Sequence, residues 1–173
     1  NMRIGNMSGF CVGEPWNARA INDRIGFTAA TSQDIWPEHP EKILGTRSEW
    51  VERNPNTARA LVAAVMEAAR WIDASEENKR ETARILAKRA WLNTKEQYLT
   101  GRMLGEYDNG LGRRWQDAHP IRFYDQGEVS FPWLSDGMWF LTQFRRWGLL
   151  KTAPDYQAVA GRINRIDVWK EAA

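Results

Sequence analysis

Gly9-Phe10-Cys11-Val12-Gly13-Glu14-Pro15-Trp16-Asn17-Ala18-Arg19-Ala20-Ile21 carries the clearest structural punctuation of the chain. A short apolar run, Phe10 to Val12, ends at a glycine. Pro15 follows where a helix best tolerates proline, in its first turn. The punctuation is strand, turn, helix. The backbone N–H groups of such a turn lack intrahelical partners and suit an anion. Gly13 has no side chain, so its N–H is open to close approach by a ligand.

Outward from this turn the first part of the chain reads as α/β and the remainder as helical. Phe10–Val12, Ile25–Thr31 and the Lys42–Thr46 run KILGT are expected as short strands, with a helix from Pro15 to about Arg24. Pro37 and Pro40 break the segment between the last two. Residues 1–46 form an α/β segment that carries the turn, and residues 47–173 a helix-rich segment, together one compact unit. Asn54-Pro55 opens a helix with Leu61, Ala64, Val65, Ala68, Trp71 and Ile72 as its core stripe. Ser75 caps the next, with Ala83, Leu86, Ala87 and Ala90 inward. Further helices are expected from Thr94 to about Leu104, from Ser130 to Trp147 with Gly148 as the stop, and from Asp155 to about Val168. Gly105–Gly112 reads as a loop with a tight turn at Asn109-Gly110.

Composition narrows the function classes. The chain has 173 residues, with 24 basic and 22 acidic side chains and a net charge of +2. That balance argues against nucleic-acid binding. The ten tryptophans run from Trp16 to Trp169 along the whole length, which suits packing rather than one stacking platform. Cys11 is the one cysteine, so no internal disulfide exists, and it is expected as a small buried hydrophobe. No apolar run reaches membrane-spanning length, and Asn1–Asn6 is not followed by the apolar stretch of a signal peptide. Catalysis has little support. His39 and His119 each precede proline and lack a nucleophile partner or zinc spacing, and the glycines near residue 110 lack a phosphate-loop context. The chain therefore reads as a non-enzyme with no cofactor and no metal.

Four segments carry a resemblance to a known family: GFCVGEPWNARAI (9–21), DIWPEHPEKILGT (34–46), ERNPNTARALVAAVMEAARWID (52–73) and FPWLSDGMWFLTQFRRWGLL (131–150). Together they resemble the solute-binding proteins of ABC transporters for nitrate and bicarbonate, over nearly the whole chain. The resemblance implies part of a two-lobed, periplasmic-binding-protein-like (type II) fold, helix-rich α/β, corresponding to the carboxy-terminal portion and lacking most of the first lobe. It implies a small oxyanion as ligand, an ABC permease as partner, and a periplasmic or inner-membrane-associated location, with a cytoplasmic one as alternative.

The resemblance also nominates ligand-binding residues. A lysine in this region contacts nitrate in the nitrate binders, and an acidic residue able to hold calcium replaces it in the bicarbonate binders. Lys42 is the lysine of the segment, and Glu38 and Glu41 are its acidic neighbours. Gly13, Glu14 and Lys42 are the site candidates, with Asn17 and Thr31 as polar neighbours. Each has a plainer reading: Gly13 as a turn residue, Glu14 as a carboxylate favoured at a helix start, Lys42 as a solvated lysine. A second function fits the same family, a cytosolic nitrate sensor that restrains an RNA-binding antiterminator. Exposed apolar surface on such a half-domain leads to an expectation of homo-oligomers.

Overall fold

The computed structural model describes every residue, Asn1–Ala173. The order of elements is α1 (Trp16–Asn22), α2 (Ser32–Ile35), α3 (Ser48–Arg53), α4 (Pro55–Asp73), α5 (Glu76–Ala87), α6 (Gln97–Leu104), β1 (Glu106–Asp108), β2 (Arg114–Gln116), α7 (Leu134–Arg146), α8 (Tyr156–Ile163) and α9 (Ile166–Ala172), with single 3-10 turns at Met2–Ile4 and Asp125–Gly127. The chain forms two compact units that interleave in sequence. The first comprises Asn1–His39 and Trp71–Phe123, the second Pro40–Arg70 and Tyr124–Ala173.

In the first unit α6 is the central element. It packs on α5, on α1 and against β1. Its core is Ala83 of α5 with Leu99 and Met103 of α6, surrounded by Leu86, Ala87, Leu92 and Phe123. Ser75 caps α5 as its sequence predicts, its Oγ accepting the Asn78 N–H at 3.1 Å. Helix α6 stops at Gly105, which holds φ +78°, a conformation only glycine adopts without strain. The chain then turns into an antiparallel ribbon with Glu106 opposite Gln116 and Tyr107 opposite Trp115. Those two rings stack with centroids 5.3 Å apart.

In the second unit α7 lies against α8. Gly137 makes the approach possible, since a Cβ there would stand 2.9 Å from Asn164 Oδ1 and 3.2 Å from the Ala160 Cβ. Ala160 is fully buried at this crossing. Trp169 meets Phe131 edge-on at 5.0 Å, and its indole N–H donates to Ser130 Oγ. Arg70 lies over the Tyr124 ring at 4.8 Å and donates to its hydroxyl.

Several expectations are corrected. Phe10–Val12, Ile25–Thr31 and Lys42–Thr46 are not strands; the only paired ladder is β1–β2. A strand needs a ladder of bonds to a neighbour, and none of these runs has one; Ile25–Thr31 makes a single such bond, from the Thr28 N–H to the Asn109 carbonyl at 3.0 Å. The strands that do form are β1, inside the predicted glycine loop, and β2, just beyond it; Asn109 closes the turn between them, its side-chain oxygen accepting the N–H groups of Leu111 and Arg113. The stripe assigned to α4 is the wrong face. Ala58, Met66 and Ala69 are buried, while Leu61, Val65 and Trp71 are more than two-fifths exposed. Ala90 is exposed beyond the end of α5. Cys11 is exposed rather than buried. No tryptophan is fully buried: Trp91 and Trp147 are 65% and 72% exposed, while Trp115 and Trp169 pack half-buried against Tyr107 and Phe131.

Five carboxylates predict the acid limb of the stability profile. Asp23 is held low by the Tyr98 hydroxyl, Asp34 by the Thr31 N–H, Glu81 by Arg84, Asp108 by the Gly110 N–H and Asp167 by Arg165, the last to about 2. A depressed folded pKa contributes stability above the unfolded value, and that stability is lost as pH falls through the folded value. Asp136 works in the opposite sense, because burial raises it; its share is present in acid and lost as pH rises. The Asp167 pair is solvent-exposed, so its contribution is ~0.5 kcal/mol after screening. The urea midpoint is therefore expected to decline from about pH 4 toward pH 2. A midpoint that holds constant down to pH 2.5 would contradict this.

Candidate functional site

The turn ahead of α1 is built by polar ties on both sides of Gly13. The Asn17 side-chain amide donates to the Val12 carbonyl. Glu14 places Oε2 on the Ala18 N–H at 3.0 Å, which satisfies a donor at the start of α1. Its Oε1 accepts Arg102 Nε, also at 3.0 Å. Pro15, between them, is the largest fully buried side chain. So Glu14 takes the helix-start role that the plainer reading gives it, and it also carries an ion pair that nothing in the sequence signals.

Arg102 is delivered by α6. Its guanidinium is buried, with the side chain 9% exposed. Nη1 donates to the Glu106 carbonyl at 3.3 Å, and the group lies over the Tyr107 ring at 4.2 Å. Burial of that ring pushes the Tyr107 phenol up. One helical turn earlier, Tyr98 donates its hydroxyl to Asp23 at 2.9 Å, and Asp23 also pairs with Arg3. These residues border a cleft of about 220 Å³ between α1, α6 and the ribbon, lined among others by Asn22, Gln97, Tyr98, Arg102, Asp108 and Arg114. The cleft carries no net positive field: Arg102 is matched by Glu14, and Arg114 by Asp108 at 2.8 Å. Gly13, Glu14 and Lys42 do not line it.

Gly13 and Glu14 belong to the first unit and Lys42 to the second. Lys42 is 78% exposed, and its ammonium meets the carboxylate of the adjacent Glu41 at 2.8 Å. Such a contact between exposed neighbours is weak and exchangeable. Glu38 pairs with Arg122 at 3.4 Å. Thr31 is occupied in a reciprocal cap with Asp34, accepting its N–H through Oγ1 and donating its own N–H to the carboxylate. No group of three or more His, Cys, Asp or Glu side chains converges on a metal position. No helix is long and apolar enough to cross a membrane.

Arg102 is the residue that sequence reading missed. It stands 88 positions from Glu14, and an arginine on an amphipathic helix has no pattern that announces its burial.

The model of the NMT1-like family matches residues 1–87, half of the chain. The chain belongs to the NMT1-like family. Its structure superposes on the crystal structure of the periplasmic nitrate-binding protein NrtA from Synechocystis PCC 6803 with a TM-score of 0.94 and 38% identity, over all of this chain and 45% of that one. Among curated proteins, it is 40% identical over 174 residues to the nitrate/nitrite binding protein NrtA of Nostoc sp. strain PCC 7120, covering 39% of it. It is 36% identical over 181 residues to the bicarbonate-binding protein CmpA of Synechococcus elongatus strain PCC 7942, covering 40% of it. This member of the NMT1-like family thus spans about two-fifths of the length of those relatives, both named for binding rather than for a reaction. The GEPWNARAI, DIWPEHPEKILGT and ERNPNTARAL segments all fall within the part that the NMT1-like model matches.

Proposed function

We propose that this chain contributes to solute capture for an ABC transporter of nitrate, acting in the periplasm and passing its ligand to an ABC permease. The carrying observation is the likeness to the periplasmic nitrate-binding protein along the entire chain, at 38% identity and a TM-score of 0.94. Bicarbonate is the neighbouring possibility, supported by the likeness to the bicarbonate-binding protein at 36% identity.

The chemistry of the nominated residues favours nitrate. Nitrate is a planar monoanion with acceptors only, so it calls for N–H donors and a cation. Bicarbonate carries an O–H besides, which calls for an acceptor. In this reading Gly13 supplies a backbone N–H, and Glu14 shapes the turn because both of its oxygens are engaged. Since the chain spans about two-fifths of its relatives, it supplies some of the ligand's partners, and binding by this chain alone is weak.

Titration with sodium nitrate, followed through backbone amide shifts, tests the assignment. The expected result is a saturable shift at Gly13 with a dissociation constant of the order of millimolar. The absence of any saturable response to nitrate would sink the reading itself, and a stronger response to bicarbonate would reassign the ligand.

A further inference from the structure

The geometry points to Arg102 as a positioning residue, which clamps Glu14 and through it sets the Gly13 amide for an incoming anion. This rests on the anion-binding reading of Gly13.

Three restraints fix the guanidinium before it touches the turn: the α6 backbone, the Glu106 carbonyl at 3.3 Å and the face of Tyr107 at 4.2 Å. The strut is therefore rigid. It ends on Glu14 Oε1 at 3.0 Å, while Oε2 of the same carboxylate holds the Ala18 N–H. Glu14 thus joins α1 to α6, and the residue before Gly13 is tied as well, through the Asn17 contact with Val12. Tyr98, four residues before Arg102 on the same face of α6, adds a second strut to the far end of α1 through Asp23. The helix and its leading turn are pinned at both ends to one element.

The strut also acts through charge. A carboxylate one residue from an anion-receiving amide repels the anion, and the repulsion grows as water is excluded. Arg102 cancels that charge from within the protein. An N–H donor held in place and a neighbouring carboxylate neutralised are both needed for tight anion binding, and this one side chain supplies both.

The test compares wild type, Arg102→Gln and the Glu14→Gln/Arg102→Gln pair by nitrate titration, with hydrogen exchange of the Ala18 amide and thermal melting alongside. R102Q is expected to bind nitrate about tenfold more weakly and to exchange the Ala18 amide at least about tenfold faster. The double variant is expected to regain about threefold in affinity, because the uncompensated carboxylate is gone. A merely structural ion pair would give no such recovery. If R102Q fails to fold, R102K, which keeps the charge but not the fork, takes its place, with faster Ala18 exchange and weaker nitrate binding expected. Wild-type affinity and exchange in a folded Arg102 variant, or no gain from the second substitution, would overturn the inference. A wild-type chain that ignores nitrate would instead overturn the function on which it rests.

Discussion

Leu99→Ala is expected to lower the unfolding free energy of the first unit by about 3 kcal/mol. Leu99 is 6% exposed and sits with Ala83 and Met103 at the point where α5 and α6 meet. Removing its isobutyl group forfeits the transfer energy and leaves a void that the helices cannot close, because α6 is held from its other sides by α1 and β1. The small partner across the contact, Ala83, has no side chain to swing into the space. Urea unfolding monitored by far-UV circular dichroism reads the loss as a shift in midpoint. A cost below about 1 kcal/mol would mean that the cluster collapses freely and that α6 is not the rigid element described above.

Gly105→Ala carries the second large effect, about 2 to 4 kcal/mol. Gly105 holds φ +78° at the end of α6, which alone costs an alanine about 1 kcal/mol. The added methyl would also stand 2.8 Å from the Pro120 Cβ and 2.9 Å from Gln116 Nε2. Neither gives way easily: Pro120 is a ring, and the Gln116 amide donates to the Leu104 carbonyl at 2.7 Å. Gly148→Ala is the control. It shares a positive φ, +74°, but has no atom within 4 Å of a new Cβ, so it isolates the backbone term. G105A is expected to lose at least about 1 kcal/mol more than G148A in the same urea experiment. Equal losses would show that the Pro120 and Gln116 contacts relax and that only φ matters.

Much of the helical part is legible in the residues. Ser75 before Glu76 and Glu77, Asp155 before Tyr156, and Gly148 after Arg146 are local devices, and each stands where its chemistry directs. Such signals are short-range: a hydroxyl or carboxylate reaches the N–H three residues ahead whatever the rest of the chain does. The stretch opening the chain is legible only in part. The turn and the helix after Pro15 are present, but Phe10–Val12 is not a strand, since pairing is a property of two segments and only one is visible in any window. Helix α4 fails for a related reason. It is apolar on two faces, and periodicity reports a helix without saying which face is covered.

The candidate residues follow the same division. Gly13 and Lys42 are candidates that the sequence itself offers, because a glycine turn and a lone lysine stand out in it. Arg102 is not readable, because its meaning lies in what it meets across 88 residues.

Residues close together along the chain were enough for the helix starts at Ser75 and Asp155, the stops at Gly105 and Gly148, the bend from Gly13 to Pro15 and the kinship with anion-binding proteins, whereas the helices expected from Thr94 and Ser130 begin later, at Gln97 and Leu134. The tertiary structure alone decided that β1 and β2 pair, that Ala58, Met66 and Ala69 are the covered face of α4, and that Arg102 lies under Glu14. Those are choices between partners of similar intrinsic quality, and only the simultaneous packing of distant segments separates them.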